Sequence, residues 1–303
     1  MKMDDTMDIR VVMLGTSGST PTKARGMPAV AVVYEGSVYL FDCGEGTQMK
    51  MMKYGINMSK IEAIFITHAH GDHILGIAGL VRTLALNKRT TPLTIFVPKG
   101  YEKTIQTLIS FDRALISYPI EVKGVTSGTV YKGAGIKVSA FKLVHTIPAC
   151  GYVFSKEEKR RFDKEKCRKL GIKGKMFAEL EARKRIKIDG RLVKLGDVTY
   201  EVGGKKIVYA SDTRPAAGTI RASGGADLLI HEATYLERDI EKAKKRGHST
   251  AAEAASVARK AKVKMLVLTH ISARYRSTIM SLNEAKKGFD NVIVARDGYV
   301  INL

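Results

Sequence analysis

Short apolar segments of β character recur along this chain, and they constrain the fold more than any other feature. The sequence predicts strands at Ile9–Leu14, Ala29–Tyr34, Ser37–Phe41, Glu62–Ile66, Leu93–Val97, Ile136–Phe141, Lys206–Ala210, Asp227–Ile230, Lys264–Leu268 and Asn291–Ala295. Glycine, proline and polar clusters separate them, as is typical of strands joined by turns. Because a sheet must bury its apolar face against another layer, this pattern predicts sheets packed face to face.

Helical patterns lie between the strands, with apolar residues at the spacing of an amphipathic helix. They predict helices at Gly46–Lys53, Ile74–Asn87, Tyr101–Ser110, Thr250–Ala261 and Ser281–Lys287. We therefore expect an α+β protein with helices outside the facing sheets. No repeat and no clear domain boundary interrupts the pattern, so residues 1–303 are predicted to form a single domain.

The composition is that of an ordinary globular protein, with 45% hydrophobic and 27% charged residues. No apolar stretch approaches the roughly 20 residues that cross a bilayer, and the first ten residues lack the apolar core of a signal peptide. Cys43, Cys150 and Cys167 show no C-x-x-C spacing, so neither a disulfide framework nor a thiolate zinc site is indicated. We expect a cytoplasmic protein, away from membranes, with free thiols.

The formal net charge of +21 requires an explanation. A polyanionic partner is the direct one, because a cationic surface releases counterions from a phosphate backbone. A lysine-rich solvated surface is the alternative, and charge alone does not separate the two. The segment Ser155–Arg191 carries 15 Lys or Arg and seven Asp or Glu, with few apolar residues. We expect an inserted arm that binds a polyanion, or else a solvated, charge-laced surface helix.

The densest chemical signal is His68-x-His70-x-Asp72-His73, directly after the predicted strand Glu62–Ile66. Imidazole nitrogens and carboxylate oxygens are ligands that zinc binds at about 2.0–2.2 Å. Four such groups within six residues would be costly to bury without a cation. The spacing predicts two adjacent metals, with His68 and His70 facing one and Asp72 and His73 the other.

Further ligands must come from elsewhere in the chain, which has seven histidines. His145, Asp212 and His270 each follow an apolar strand, as the first cluster does. Strand ends on one edge of a sandwich can converge, so these three side chains are candidate ligands. Asp212 could bridge two metals, because a carboxylate has two oxygens.

Two more histidines lie in suggestive positions. His248 comes just before Thr250-Ala-Ala-Glu253, which has the spacing of a capping box, so it would lie at a helix N-terminus, a place suited to phosphate. His231 ends a buried strand, which favours a structural or supporting role.

Several segments together resemble the tRNase Z (ribonuclease Z) family of the metallo-β-lactamase superfamily. The resemblance runs nearly from end to end and rests on Leu14–Pro21, Phe41–Gln48, Thr67–Gly76, Ser211–Pro215, His231–Thr234, Gly247–Thr250 and Leu268–Tyr275. The histidine motif is shared by many hydrolases of the superfamily, whereas Phe41–Gln48 and His231–Thr234 are more particular to this family.

The resemblance implies a ligand set and a cofactor. His68, His70 and His145 would hold one zinc ion, and Asp72, His73 and His270 the other. Asp212 would bridge them, and Asp72 would also accept a proton. Two Zn²⁺ per subunit are therefore expected, with Mn²⁺ or another divalent ion as the alternative.

The resemblance also implies a four-layer αβ/βα sandwich, usually a homodimer, with a protruding basic arm that grips tRNA. The basic stretch Lys156–Arg191 falls where that arm emerges, between the ligands His145 and Asp212. Two details depart from the family: Gly171–Phe177 has no proline where the arm tip is often proline-rich, and Ser211 replaces a common glycine.

The expected activity is removal of the 3′ trailer from precursor tRNA, leaving a 3′-hydroxyl on the tRNA and a 5′-phosphate on the trailer. His248 would donate a proton or hydrogen bond near the scissile phosphate, with a carboxylate partner that the sequence does not identify. Arg274 would clamp a phosphate, or else form a surface salt bridge. Asp42 is expected to support the site rather than to react.

Two other classes of function compete with this one. The first is a metal-dependent phosphodiesterase or esterase acting on a small molecule or another RNA; a small substrate needs neither the arm nor the charge. The second is an RNA-binding module with a structural metal, but structural zinc sites are closed, four-coordinate and usually single.

Overall fold

The computed structural model describes residues 9–111, 115–157 and 159–303. Its strands are β1 (Ile9–Gly15), β2 (Ser17–Gly18), β3 (Ala29–Tyr34), β4 (Ser37–Phe41), β5 (Ile61–Phe65), β6 (Leu93–Pro98), β7 (Ile120–Val125), β8 (Gly128–Gly133), β9 (Ile136–Lys142), β10 (Cys150–Lys156), β11 (Lys159–Phe162), β12 (Arg185–Ile188), β13 (Arg191–Lys194), β14 (Thr199–Val202), β15 (Lys205–Ala210), β16 (Leu228–Glu232), β17 (Leu266–Thr269), β18 (Ile271–Ser272), β19 (Val292–Val294) and β20 (Tyr299–Asn302).

The helices are α1 (Thr47–Lys53), α2 (Gly71–Ile74), α3 (Gly76–Leu86), α4 (Glu102–Ser110), α5 (Lys164–Lys169), α6 (Met176–Arg183), α7 (Ala217–Ser223), α8 (Ile240–Arg246), α9 (Ala251–Ala261) and α10 (Ile279–Lys286). Short 3₁₀ helices cover Met58–Lys60, Leu195–Asp197 and Glu237–Asp239. None of the described helices combines the length and apolar character needed to cross a membrane.

Most predicted elements occur within one or two residues of their predicted bounds. Strands β3 and β4 have the predicted bounds, whereas the predicted helix Ile74–Asn87 corresponds to α3 and to the last residue of α2. Strand β7 was not predicted, because it is an edge strand whose side chains are all at least partly exposed. It therefore lacks the continuous apolar run that identifies a buried strand.

Two seven-stranded sheets form the main unit of the molecule, residues 9–154 and 206–303 of the described chain. The first has the order β20-β1-β3-β4-β5-β6-β7, and the second β19-β17-β16-β15-β10-β9-β8. Strands β4 to β7 run parallel, as do β15, β16, β17 and β19. Each sheet therefore has a run of parallel strands whose carboxyl ends share one edge.

Among the described residues, the main unit contains three apolar clusters, one between the two sheets and one between each sheet and its helices. Phe41 and Phe65 of the first sheet share one cluster with Tyr152 and Tyr209 of the second, so the sheets face each other. A second cluster joins the other face of the first sheet to α1, α3 and α4. A third joins the second sheet to α9 and α10. The expected helix–sheet–sheet–helix order is confirmed.

Residues Ser155–Lys205 form a separate compact unit. Its own core contains Cys167, Leu180, Val193 and Val198, and β11 pairs with β14 to close it. The unit extends beyond the predicted end at Arg191 because the closing strand β14 lies later in the chain. That this unit is an inserted tRNA-binding arm stays a prediction.

Candidate metal centre

The histidine motif begins where β5 ends, at the edge shared by the parallel strands. His68 is fully buried, and His70 occupies the N-cap position of α2 without a side-chain capping hydrogen bond. Asp72 and His73 lie inside that single helical turn. The change from strand to helix turns successive side chains in different directions, which the predicted division of the motif requires.

The first ligand group consists of His68, His70, His145 and Asp212. Nε2 of His68 lies 3.0 Å from Nδ1 of His70. Nε2 of His145 lies 3.4 Å from the same Nδ1. Asp212 completes the group, with Oδ2 at 3.5 Å from Nε2 of His68 and 3.8 Å from Nε2 of His145.

The second ligand group consists of Asp72, His73 and His270. Oδ2 of Asp72 lies 3.6 Å from Nε2 of His73 and 3.6 Å from Nε2 of His270. Both imidazoles also face Oδ1 of Asp212, at 3.5 Å for His73 and 3.1 Å for His270. The two oxygens of Asp212 are thus divided between the two groups, as expected of a bridging carboxylate.

In four of the inward-facing histidines, the ring nitrogen that points away from the cluster has a polar neighbour; they are His68, His73, His145 and His270. Nδ1 of His145 lies 3.0 Å from the carbonyl oxygen of Gly247, and Nδ1 of His270 lies 2.8 Å from Oγ1 of Thr234. A proton on Nδ1 satisfies the carbonyl contact and leaves the Nε2 lone pair facing the cluster. Such contacts fix the tautomer that binds a metal.

These residues fit divalent metal ions. Nε2 of His73 and Nε2 of His270 are buried without a hydrogen-bond partner among the described residues, which is unfavourable unless something binds them. Ligands at about 2.0–2.1 Å from a tetrahedral zinc lie roughly 3.3–3.4 Å apart, close to the separations here. A third grouping, Asp212 with His248 and His270, fits less well because Nδ1 of His248 already contacts Glu232.

The charge balance also favours cations. Burial lowers the pKa of His73, but the carboxylates of Asp42 and Asp212 outweigh burial and raise this pKa well above its usual value. Burial raises the pKa of Asp212, yet His270, His73 and His68 hold it well below its usual range. The site therefore keeps its carboxylates ionised and demands positive charge, which a divalent ion supplies at the cost of a displaced proton.

Asp42 forms hydrogen bonds behind the metal ligands, on the side that faces the core. Its Oδ2 lies 2.8 Å from Nδ1 of His73 and accepts a hydrogen bond from the hydroxyl of Tyr209 at 2.9 Å. Its Oδ1 accepts the backbone N–H of Thr67 at 2.7 Å. Asp42 is fully buried, which suits it to orienting Thr67 and His73 and agrees with the supporting position that the sequence indicated.

The loop between β2 and β3 forms one wall of the centre. The backbone N–H of Ser19 donates to Oδ2 of Asp72 at 2.9 Å. At Gly18, an added Cβ would lie only 2.6 Å from Nδ1 of His270, so a glycine is required there. Asp297 anchors the far end of the loop: its Oδ2 accepts the N–H of Gly26 at 2.6 Å and pairs with Nζ of Lys50 at 2.7 Å.

His248 lies at the edge of the centre with a carboxylate partner. Its Nδ1 is 2.9 Å from Oε1 of the fully buried Glu232. Burial lowers the pKa of His248, but the charge and hydrogen bond of Glu232 outweigh it and raise that pKa to about 9. Glu232 itself is held by the backbone N–H groups of Thr213 at 2.9 Å and Thr234 at 3.0 Å. An imidazolium is thereby placed beside the two ligand groups.

Arg214 fixes the loop that carries His248. Its guanidinium donates to both carboxylate oxygens of Glu253 and to the carbonyl oxygen of His248. Glu253 is also the third residue of α9, where it forms the predicted capping box with Thr250. The cap of α9 and the position of His248 are therefore set by one network.

Curated relatives match nearly the whole chain. A protein named Ribonuclease Z from Gemmatimonas aurantiaca is 41% identical, and the match covers 98% of this chain and 96% of the relative. Another, from Archaeoglobus fulgidus, is 40% identical over 96% of both chains. The chain belongs to the ribonuclease Z family. In addition, residues 9–163 match a family model described as Anti-Pycsar protein Apyc1, and residues 194–271 match a beta-lactamase superfamily domain.

Solved structures agree with this family. The short form of human tRNase Z is 28% identical and superposes with a TM-score of 0.71 over 96% of this chain and 98% of the other. The metallo-beta-lactamase fold protein YhfI from Bacillus subtilis has a TM-score of 0.73 at 18% identity, over 98% and 100% of the two chains. The predicted metallo-β-lactamase fold is confirmed.

In this member of the ribonuclease Z family, the structure brings together every ligand that the sequence predicted. It also adds residues that the sequence did not single out. Glu232 is the carboxylate beside His248, and the Ser19 amide contacts Asp72. A Glu directly after a strand-end histidine was the available signal for Glu232; no side-chain pattern could reveal a backbone amide. His231 is fully buried with Nδ1 at 2.7 Å from the Glu232 carbonyl oxygen, in keeping with its expected supporting role.

Arg274 lies near the centre but is exposed. Its guanidinium carbon is 4.8 Å from the centre of the Tyr235 ring, and its Nε donates to Oγ of Ser272 at 3.1 Å. The Tyr235 ring in turn lies 5.9 Å from that of His248. A guanidinium on an aromatic face retains free N–H groups, so this position suits a phosphate contact.

Proposed function

We propose that this protein is an endoribonuclease that removes the 3′ trailer of precursor tRNA. The products are tRNA with a 3′-hydroxyl and a trailer with a 5′-phosphate. These products require water to attack phosphorus and the bond from phosphorus to the 3′-oxygen of the tRNA to break. The trailer keeps the phosphate, and the 3′-oxygen takes up a proton.

The observation that carries the proposal is the position of Asp212 between the two histidine groups. Its Oδ2 faces His68 and its Oδ1 faces His270. The imidazole of His248, whose pKa is raised to about 9, lies beside them. Two cation positions and a nearby proton donor suit the hydrolysis of a phosphodiester, in which charge develops on phosphoryl oxygens and on the leaving oxygen.

The RNA substrate is supported by family and by charge. The curated relatives carry the name Ribonuclease Z over nearly their full length, and a structural neighbour is a tRNase Z. The net charge of +21 matches a polyanion. A small substrate would not require this charge.

The proposed cofactors are two zinc ions per subunit, with Mn²⁺ or another divalent ion as the alternative. His68, His70 and His145 would hold one ion, Asp72, His73 and His270 would hold the other, and Asp212 would contact both. When bound, such ions lower the pKa of a water molecule and neutralise charge on the phosphoryl group.

The chain's own groups then move the protons. Asp72 remains ionised because the neighbouring imidazoles of His270 and His73 outweigh burial and lower its pKa, so it can accept a proton from the attacking water. His248 is the proton donor to the leaving 3′-oxygen, with Glu232 holding its charged form. Donor and acceptor thus lie at different parts of one centre.

Substrate contacts away from the cut are assigned to Arg274 and to the basic stretch Lys156–Arg191. Arg274 is exposed beside Tyr235, close to His248, and would bind a phosphate next to the scissile one. The basic stretch belongs to the compact unit Ser155–Lys205 and would bind the tRNA body. Assembly as a homodimer and a cytoplasmic location complete the proposal, and light scattering of the purified protein tests the former.

The alternative is a metal-dependent phosphodiesterase that acts on a small molecule or another RNA. The same centre would serve it, so the substrate must be tested directly. The purified protein is incubated with a precursor tRNA carrying a 3′ trailer, with and without chelator, and both product ends are mapped. Metal-dependent cleavage after the discriminator nucleotide supports the proposal; hydrolysis of a small phosphodiester with an intact precursor refutes it.

A further inference from the structure

A cavity of about 350 Å³ opens in the main unit at the ends of β6, β7 and β9 and the start of β10. Pro98 and Val125, which face each other at the ends of the paired strands β6 and β7, form one side. Pro148 and Ala149, just before β10, are among its other lining residues. The volume lies in the range of about 300–1,000 Å³ typical of pockets for small ligands.

The position of this cavity is fixed relative to the ligands. Strands β5, β6 and β7 are parallel neighbours, so the end of β5 that leads to His68 and the ends that line the cavity share one edge. Neighbouring strands lie about 4.8 Å apart, so the ends of β6 and β7 lie roughly 5–10 Å from the end of β5 along that edge. The N–H of Cys150 also donates to the carbonyl oxygen of Thr67 at 2.8 Å, joining the cavity floor to the residue before His68.

The same loop serves both the cavity and the metal centre. Residues 143–149 connect β9 to β10, and the N–H of Leu143 donates to the carbonyl oxygen of Ala149 at 3.0 Å to close the loop at its base. His145 projects from this loop to the centre, whereas Pro148 and Ala149 line the cavity.

The chemistry of the lining fits a nucleotide. Lys99 and Lys142 are both exposed at its rim, and the described lining contains no carboxylate. The nearest acidic residue in the sequence, Glu102, accepts the N–H of Gly100 at 2.7 Å. Burial raises the pKa of the Cys150 thiol to about 11, so the floor is neutral. Apolar walls accept a base, and lysines at the rim attract its phosphates.

We propose that this cavity binds an unpaired nucleotide of the RNA trailer, the first or second after the cut. This inference rests on the proposed function, because the bound RNA is a trailer only if the protein cleaves precursor tRNA. The cavity is too small for a base pair, and every trailer nucleotide is unpaired, whereas only the discriminator is unpaired before the cut. Its distance from the centre corresponds to about one or two nucleotides of a single strand.

The test uses Lys99→Ala with Lys142→Ala, and separately Thr126→Tyr, which fills the cavity from an exposed lining position. Lys103→Ala with Lys137→Ala is the matched control, since both are exposed lysines outside the lining. Melting temperatures establish that the variants fold. Precursors carry either an intact trailer or an abasic residue at the first or second trailer position.

The expected result is a KM about fivefold to tenfold higher for the cavity variants on the intact trailer, at unchanged kcat, as for loss of a phosphate or base contact. An abasic residue should raise KM in the unaltered protein but not further in Thr126→Tyr. Three results would each overturn the proposal. The increases in KM caused by the abasic residue and by the cavity variant could multiply, or KM could be unchanged in the cavity variants. Activity could also fall equally on every precursor, which would indicate a contact on the acceptor side of the cut.

A binding measurement separates this inference from the proposed function. Fluorescence anisotropy follows a 5′-phosphorylated tetraribonucleotide in the presence of chelator, so no cleavage is needed. Binding that is weakened by the Lys99 and Lys142 substitutions, and not by the control pair, supports the subsite even if precursor tRNA is not cleaved. Equal binding by all variants refutes the subsite while leaving the nuclease proposal intact.

Discussion

Nδ1 of His248 lies 2.9 Å from Oε1 of Glu232, a carboxylate that is fully buried and also accepts two backbone N–H groups. The two residues come from different parts of the fold, the end of β16 and the loop before α9. The carboxylate stabilises the charged imidazole, so this pair sets the pH range in which His248 can donate a proton.

Glu232→Gln should move the alkaline limb of the pH–rate profile to lower pH. Glu232 helps to raise the pKa of His248 to about 9, and the donor is active only below its pKa. Removing the charge of Glu232 lowers the pKa of His248. As pH rises, the variant therefore loses activity at a lower pH than the unaltered protein does. Steady-state kcat measured between pH 6 and 10 gives the limb, with the exposed variant Glu241→Gln as control. An unshifted limb with reduced kcat would show that Glu232 is structural.

His248→Ala should lower kcat by roughly 10²- to 10⁴-fold, the usual contribution of a general acid. KM should change little, because the imidazole is assigned to proton transfer. A precursor with a 3′-bridging sulfur has a leaving group that needs no proton and should restore much of the rate. Equal loss on the oxygen and sulfur substrates would exclude proton donation by His248.

Asp212→Asn should reduce metal content and metal-dependent stability. Its two oxygens face separate ligand groups, so both cation positions lose a charged ligand. In the unaltered protein, metal at 100 times its Kd stabilises the fold by about 2.7 kcal/mol, which raises the Tm by several degrees. The variant should show a much smaller rise and bind fewer than two ions by elemental analysis. A full complement of two ions would contradict the bridging assignment.

Gly18→Ala should displace His270, since the new Cβ would lie 2.6 Å from its Nδ1. We expect loss of the ion held by Asp72, His73 and His270 while the other remains, measured as metal per chain. Gly196→Ala, where the added Cβ meets nothing within 4 Å, is the matched control. Retention of both ions in Gly18→Ala would mean that the loop can move away.

Replacing Arg168, Lys169 and Arg191 by Gln should weaken precursor binding without affecting hydrolysis of a small phosphodiester. These residues line one cleft of about 400 Å³ in the unit Ser155–Lys205. Each lost phosphate contact should lower the slope of log affinity against log salt by about one. Gln at Lys103, Lys123 and Lys137 removes the same charge from the main unit as a control. Loss of both activities would indicate a structural role.

The local sequence predicted much of the fold because its signals are local. Strand β3 alternates little and is almost wholly buried, so its apolar run marks it directly. Edge strand β7 has no such run, and its pairing with β6 depends on distant residues. The capping box at Thr250 and Glu253 was visible in the spacing, but the link through Arg214 to His248 was not.

The sequence by itself determined which residues can bind metal: the motif His68–His73 and the strand-end positions of His145, Asp212 and His270. Tertiary structure alone decided how the oxygens of Asp212 are divided, that Glu232 faces His248, and that Ser19 contributes a backbone amide. The reason is physical. The residue type decides whether a side chain can bind metal, whereas the distances between strand ends depend on how the two sheets pack.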